Sequence, residues 1–189
     1  MILDRLSSVS FRIGQLREPN MFPKITVAAA ALALPFTAVM GQADLHVRFI
    51  EGAPTDRFEI TNQSACAISG STIMLDLAPS QGALIFDVTA AGAGVEVFQP
   101  FEIIAGREAL TTLPTIQDGQ NAVDLPISTL GSGESIAFTI DVDDTLGARE
   151  ITVTDAEISG ATVKLVGTGS PQMARFDADA KAQVTGLTC

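Results

Sequence analysis

Ile136 to Val153 reads IAFTIDVDDTLGAREITV. Apolar and polar residues alternate up to Val142, break at Asp143-Asp144-Thr145-Leu146-Gly147, and alternate again from Arg149. Successive side chains of a strand point to opposite faces, and glycine accepts the backbone that a tight turn needs. The stretch therefore predicts two half-buried strands joined by a short acidic loop, a hairpin with carboxylates at its tip.

The same grammar holds on either side. Leu45–Ile50 alternates and stops at Glu51-Gly52-Ala53-Pro54, and Arg57–Thr61 follows, ending at Asn62-Gln63-Ser64. Thr72–Leu77 and Ala83–Val88 flank Ala78-Pro79-Ser80-Gln81-Gly82, which reads as a reversal pairing them as a hairpin. Val95–Phe98 and Phe101–Ile104 come next. Leu113–Ile116 and Ala122–Ile127 bracket Asp118-Gly119, a second hairpin signal, while Pro114 and Pro126 demote these runs to edge or bulged strands. Glu157–Val166 reads as a strand kinked at Gly160, and Ala174–Leu187 as one or two last strands. No segment keeps a helical period. The fold class expected is all-β: a single antiparallel β-sandwich, immunoglobulin-like or jelly-roll-like, after an N-terminal signal peptide.

That signal is read at residues 21–43. Met21 and Lys24 precede an apolar run without ionisable groups, Ile25–Val39, and Gly41-Gln42-Ala43 sets small residues where a signal peptidase inspects them. Cleavage falls between Ala43 and Asp44. The run is shorter than the roughly 20 residues of a spanning helix, so no membrane insertion of the mature chain is expected. Residues 1–20 read as an upstream extension from a mis-assigned start, and 44–189 as one β-sandwich domain, secreted or periplasmic.

Composition narrows the partners. The chain carries 22 Asp and Glu against 11 Lys and Arg, a formal net charge of −11. The imbalance deepens past Ala43, because Arg5, Arg12, Arg17 and Lys24 all precede it, with only Asp4 and Glu18 among the acids. Such a surface repels phosphate backbones, which excludes nucleic acid, and suits cations or plain solubility. Trp and Tyr are absent, which weakens a conventional sugar-binding surface. Cys66 and Cys189 are the two cysteines, and in an exported chain they read as a disulfide closing most of the domain, worth roughly 4–5 kcal/mol in the chain-entropy model. Two free thiols or an intermolecular bridge through Cys189 are the alternatives.

The chemistry available is mostly carboxylate. Asp141 and Asp143 project from one strand face and Asp144 adds a third acid at the turn, a half-site for calcium, which takes 6 to 8 oxygen ligands in a flexible shell. Glu150, Asp155 or Glu51 would complete it. The EF-hand pattern fails, since the sixth position counted from Asp141 is Leu146 and the twelfth Thr152. The plainer reading is that Asp143 and Asp144 cap a turn and keep a sheet edge soluble. Asp76, Asp124 and Asp141 sit between apolar neighbours, as solvent-facing strand positions do. His46 is the only histidine and there is no Gly-x-Ser-x-Gly elbow, so no catalytic residue is assigned.

Phe49-Ile50-Glu51-Gly52-Ala53-Pro54, Phe58-Glu59-Ile60-Thr61-Asn62, Leu84-Ile85-Phe86-Asp87-Val88 and Phe138-Thr139-Ile140-Asp141-Val142-Asp143-Asp144-Thr145 together resemble small exported alphaproteobacterial proteins labelled aggregation factor core protein. The resemblance spans most of 44–189. It implies a β-sandwich engaged in calcium-dependent surface adhesion, with Asp141, Asp143 and Asp144 as the positions to which calcium carries over. The function expected is thus an exported, non-catalytic binding or adhesion module with a surface glycan or protein as partner. A structural envelope domain without metal is the alternative, and a carboxylate-based glycan hydrolase a third.

Overall fold

The computed structural model describes residues 42–91, 94, 98–146, 152–167 and 169–188. The chain divides into two compact units, Met1–Thr37 and Ala38–Cys189, the first lying wholly outside the described residues, as does most of the expected signal peptide. Ten strands are described: β1 (Gln42–Ile50), β2 (Asp56–Asn62), β3 (Ile68–Asp76), β4 (Ile85–Asp87), β5 (Glu102–Ala105), β6 (Ala122–Leu130), β7 (Ser135–Asp143), β8 (Thr162–Val166), β9 (Gln172–Arg175) and β10 (Lys181–Thr188). A 3-10 turn at Arg107–Ala109 and one short helix, α1 (Asp155–Ile158), interrupt them. β1 starts at Gln42, so the expected cleavage after Ala43 would remove the first two pairs it makes with β10, Gln42 with Thr188 and Ala43 with Leu187.

All the pairings are antiparallel, and they build two sheets. One runs β10-β1-β2-β7-β4, with β5 also on β7; the other runs β6-β3-β8-β9. A single hydrophobic cluster holds residues of both, among them Leu45, Phe58, Ile73, Leu125, Phe138 and Val163, so the sheets face each other over one core. This is the expected antiparallel β-sandwich.

Alternation makes each sheet two-sided. β2 reads DRFEITN with every second residue buried, and β8 does the same over Thr162–Val166. In register, Phe49 pairs with Phe58 and Phe58 with Phe138, with ring centroids 5.1 and 5.0 Å apart; Phe101 lies 5.0 Å beyond Phe138. Each fully buried ring contributes about 1.5–3 kcal/mol by leaving water, and the aromatic pairs add to this across the strands.

β7 departs from two-sidedness. Its burial reads eBBBiBBBB, so both faces are covered at its C-terminal half. Both its edges are also taken, by β2 and, past Ile140, the Asp56 side chain on one side, and by β5 and β4 in succession on the other. A central strand has no edge left for a hairpin partner. Accordingly, of the expected second arm, Thr152 and Val153 are not strand and lead into α1, and Arg149 to Ile151 lie outside the described residues.

Three other readings change. β3 and β4 do not pair: the turn between them, with Ser80 N–H donating to Leu77 O and Ala83 N–H to Ser80 O, carries the chain from one sheet to the other. Leu113–Ile116 is not a strand, Pro114 lacking a ladder donor, although the Asp118-Gly119 turn is present with Gly119 at φ 74. Glu157 and Ile158, read as the start of a strand, belong instead to the helix Asp155–Ile158; Glu157 Oε2 accepts from both the N–H and the hydroxyl of Thr154, closing a capping box. Gly160 follows at φ 94, where a Cβ would meet Pro79 O at 2.7 Å. Pro126 behaves as expected, since β6 lies at a sheet edge.

Candidate metal centre

Alternation along β7 sends Ile136, Phe138, Ile140 and Val142 into the core and puts Asp141 and Asp143 on the opposite face. β4 then adds a carboxylate from the neighbouring strand, because Asp87 pairs directly with Asp141 and Ile85 with Asp143. One oxygen from each of Asp87, Asp141 and Asp143 lies within 4.8 Å of the others. Their relative exposures are 0%, 4% and 2%, so three acids share a dry space.

Backbone from two further segments closes around them. Gln99 N–H donates to Asp87 O and Gln99 O accepts from Asp141 N–H, which places Gln99 across the ends of β4 and β7. At the far edge of β4, the turn at Asp118 is tied down by Gly119 N–H donating to Phe86 O, and Asp118 Oδ1 accepts from the N–H groups of Val88 and Thr89. Its carboxylate meets that of Asp87, which also meets Asp143.

Electrostatically, Asp87 and Asp141 have no ion pair with a described cation: the ion pairs of the described residues, Arg48–Glu59, Arg57–Glu59 and Lys181–Asp179, involve neither. Both oxygens of Asp87, Oδ2 of Asp141 and Oδ2 of Asp118 are buried without a hydrogen-bond partner. Burial first, then the neighbouring acids Asp118 and Asp143, push the Asp87 carboxyl well above the usual range. Burial, with the charges of Asp143 and Asp56, pushes Asp141 up to about 7. Asp118 moves the other way: burial works against it, but the N–H groups of Val88 and Thr89 hold it below the ordinary value.

Asp56 is a separate case. It begins β2 opposite Ile140, and its Oδ2 accepts from Val142 N–H at 3.0 Å while Oδ1 accepts from Gly52 N–H at 3.1 Å. A side chain thus continues the ladder where β2 has run out, holding the backbone between Asp141 and Asp143. Burial lifts its pKa to about 7 against those two hydrogen bonds.

Of the residues expected at a calcium site, Asp141 and Asp143 are brought together. Asp144 is buried at 8% but lies outside the grouped ligands, and Glu150 falls outside the described residues. Glu51 and Asp155 line a surface hollow with Arg48 and Lys181 instead. Asp141 is not the solvent-facing residue its apolar neighbours suggested, whereas Asp124 is exposed and Asp76 half-buried. Sequence reasoning missed Asp87 and Asp118. The available signal was an acid inside the apolar run Leu84–Val88, but only strand pairing places it beside Asp141.

The arrangement could hold a metal ion: hard carboxylate oxygens from two strands, dry and close enough to share one cation. Among the described residues no cysteine is free, so Cys66 is engaged; its expected partner Cys189 lies outside them. Among the described residues, too, no helix is long and apolar enough to cross a membrane. No protein-family model, curated protein or solved structure matches this chain.

Proposed function

We propose that this is an exported, non-catalytic binding or adhesion module of the cell surface or periplasm, in which Asp87, Asp141 and Asp143 hold a calcium ion. The observation that carries the metal is Asp87: a fully buried carboxyl group whose two oxygens have no hydrogen-bond partner, against two further buried acids. An uncompensated buried carboxylate costs several kcal/mol, and a cation is the partner that turns that cost at Asp87 into ligand bonds. Calcium fits best, because it accepts irregular shells of carboxylate and carbonyl oxygen, whereas magnesium keeps water that this space excludes. Burial of the acids also speaks against sugar hydrolysis at this place, since a glycan needs open carboxylates flanking its bond. The adhesive role, with a surface glycan or protein as partner, rests on the resemblance of the Asp-bearing strands to aggregation factor core proteins.

A second reading has its own support. The contacts of Asp87 with Asp118 and Asp143, together with the raised pKa values, suit protons shared between acids, as in a structural envelope domain without metal. Thermal unfolding separates the two. A calcium-specific rise in midpoint over chelated protein, not reproduced by magnesium, is expected of the metal site, about 2.7 kcal/mol at a hundred times the dissociation constant. Identical midpoints in chelator and calcium would leave the proton-sharing domain.

A further inference from the structure

Arg48 on β1 and Lys181 on β10 are paired directly across the sheet, both exposed on its outer face. Like charges set opposite each other weaken a sheet, and cations are scarce here, 11 Lys and Arg in the chain against 22 acids. Described carboxylates relieve them little. Arg48 reaches Glu59 at 3.8 Å and Lys181 reaches Asp179 at 4.0 Å, well beyond the roughly 2.7–2.9 Å of a charge-assisted hydrogen bond. Both side chains stay 56% exposed and border a surface hollow of about 400 Å³. Glu51, just past β1, Asp155, in α1, and Asp179 complete its charged lining. Apart from Lys181–Asp179, no ion pair among the described residues joins these cations to these acids, so opposite charges are held apart around open space.

The frame around that space is fixed by its backbone. Asp177 Oδ1 accepts from the N–H groups of Asp179 and Lys181, and Phe49 N–H donates to Ala180 O, which clamps the turn before β10 onto β1. Ala180, fully buried, holds φ 54 between the two charged residues, a left-handed backbone that a residue with a Cβ adopts only at a cost. The Thr154 capping box sets the start of α1 and with it Asp155. A ligand that suits this frame carries one anionic group for the two cations and hydroxyl groups that donate to the carboxylates. Three acids against two cations repel a phosphate or a multiply sulfated chain. The hollow is also too open to bury most of a small free molecule, as pockets for such ligands do, but it admits one unit of a longer chain. Resting on the binding-module reading above, though not on its metal, we propose that the hollow takes one uronate unit, a sugar with a single carboxylate, of an acidic glycan. Arg48 and Lys181 share the sugar carboxylate, and Glu51, Asp155 and Asp179 accept from its hydroxyl groups.

The test is titration calorimetry of the protein, in chelator and again in millimolar calcium, with short oligomers of galacturonate, mannuronate, guluronate and hyaluronan as probes. Expected is binding of at least one of them in both conditions, lost when the same oligomer is methyl-esterified, which keeps the ring and removes the charge. Arg48→Gln and Lys181→Gln should each weaken it by about tenfold or more, the worth of a hydrogen bond to a charged group. Arg107→Gln, which alters an exposed cation of the 3-10 turn, should leave it unchanged. Exposed ion pairs contribute little to stability, so the Arg48 and Lys181 variants fold. Binding of none of the oligomers would overturn the proposal, as would equal binding of the ester, wild-type affinity in Arg48→Gln and Lys181→Gln, or uptake of free glutamate and no uronate. A calcium-specific rise in melting midpoint without uronate binding would remove the hollow and leave the metal reading standing; uronate binding without that rise would do the reverse.

Discussion

Asp87 on β4 stands in register with Asp141 on β7, and both carboxylates are buried, at 0% and 4% exposure. Directly paired residues on neighbouring strands have their Cβ atoms about 5 Å apart, so two like charges here oppose the sheet unless something lies between them. A shared cation and a shared proton are the two solutions, and they differ in how stability responds to metal, mutation and pH.

Neutralising one partner should raise stability without calcium and blunt the response to it. Asp87→Asn or Asp141→Asn keeps the side-chain shape and removes a buried charge, so either variant should melt higher than wild type in chelator near pH 8. In excess calcium each should forfeit most of the gain of about 2.7 kcal/mol expected at a hundred times the dissociation constant. Scanning calorimetry with chelator and with calcium reads both arms; a wild-type-sized calcium gain in Asp87→Asn would exclude that residue as a ligand.

Stability of the chelated protein should fall as pH rises. Asp56 and Asp141 have folded pKa values raised to about 7, and Asp87 is raised as well, against about 3.9 for an unfolded aspartate. Between these values the folded state binds more protons than the unfolded one, so the slope of unfolding free energy against pH is negative. The loss begins above pH 4 and is complete once pH has passed the raised folded values. Asp118, lowered in the fold, contributes the opposite way, its stabilisation being lost only in stronger acid. Urea unfolding in chelator from pH 4.5 to 8.5 should therefore show declining stability, and calcium should flatten the curve by taking the protons' place.

Removing Asp56 should destabilise the protein with or without metal. Asp56→Ala strands the buried N–H of Val142, at a cost of about 1–3 kcal/mol, and leaves the half-buried N–H of Gly52 without its acceptor. Asp56→Asn, which retains one carbonyl acceptor, should recover part of the loss. Urea midpoints of the two variants check this, and a neutral Asp56→Ala would mean that water reaches both donors.

The proposed pairing of Cys66 with Cys189 predicts a single cross-linked peptide in a non-reducing digest. Reduction, or Cys66→Ser, should lower stability by roughly 4–5 kcal/mol in the chain-entropy model. An intermolecular bridge would instead appear as a dimer on a non-reducing gel.

Much of the architecture was legible because it depends on local rules. Alternation located β1, β2, β6 and most of β7, and Pro126 marked β6 as an edge or bulged strand, of which the pairing selects the edge. Failures occurred where a local signal had two global solutions. Pro79 and Gly82 do mark a turn, but the turn changes sheet instead of closing a hairpin, because β3 finds its neighbours in β6 and β8. Thr154 to Glu157 carried a capping box that announces a helix start, in a segment too short to show a helical period.

The site divides in the same way. Asp141 and Asp143 share a face by the strand period alone, so their companionship is written in the chain. Their burial is not, since an acid between apolar neighbours reads as a solvent-facing position until another layer covers it. Asp87 and Asp118 reach the site from segments distant in sequence, brought there by the β4–β7 register and the turn packed on β4. Composition and periodicity by themselves determined an acidic all-β chain with paired aspartates on one face of a strand, because those properties depend on nearest neighbours along the backbone. Which face was sealed, and which distant carboxylates were sealed in with them, only the packing of strands could decide, since desolvation depends on everything that surrounds a charge.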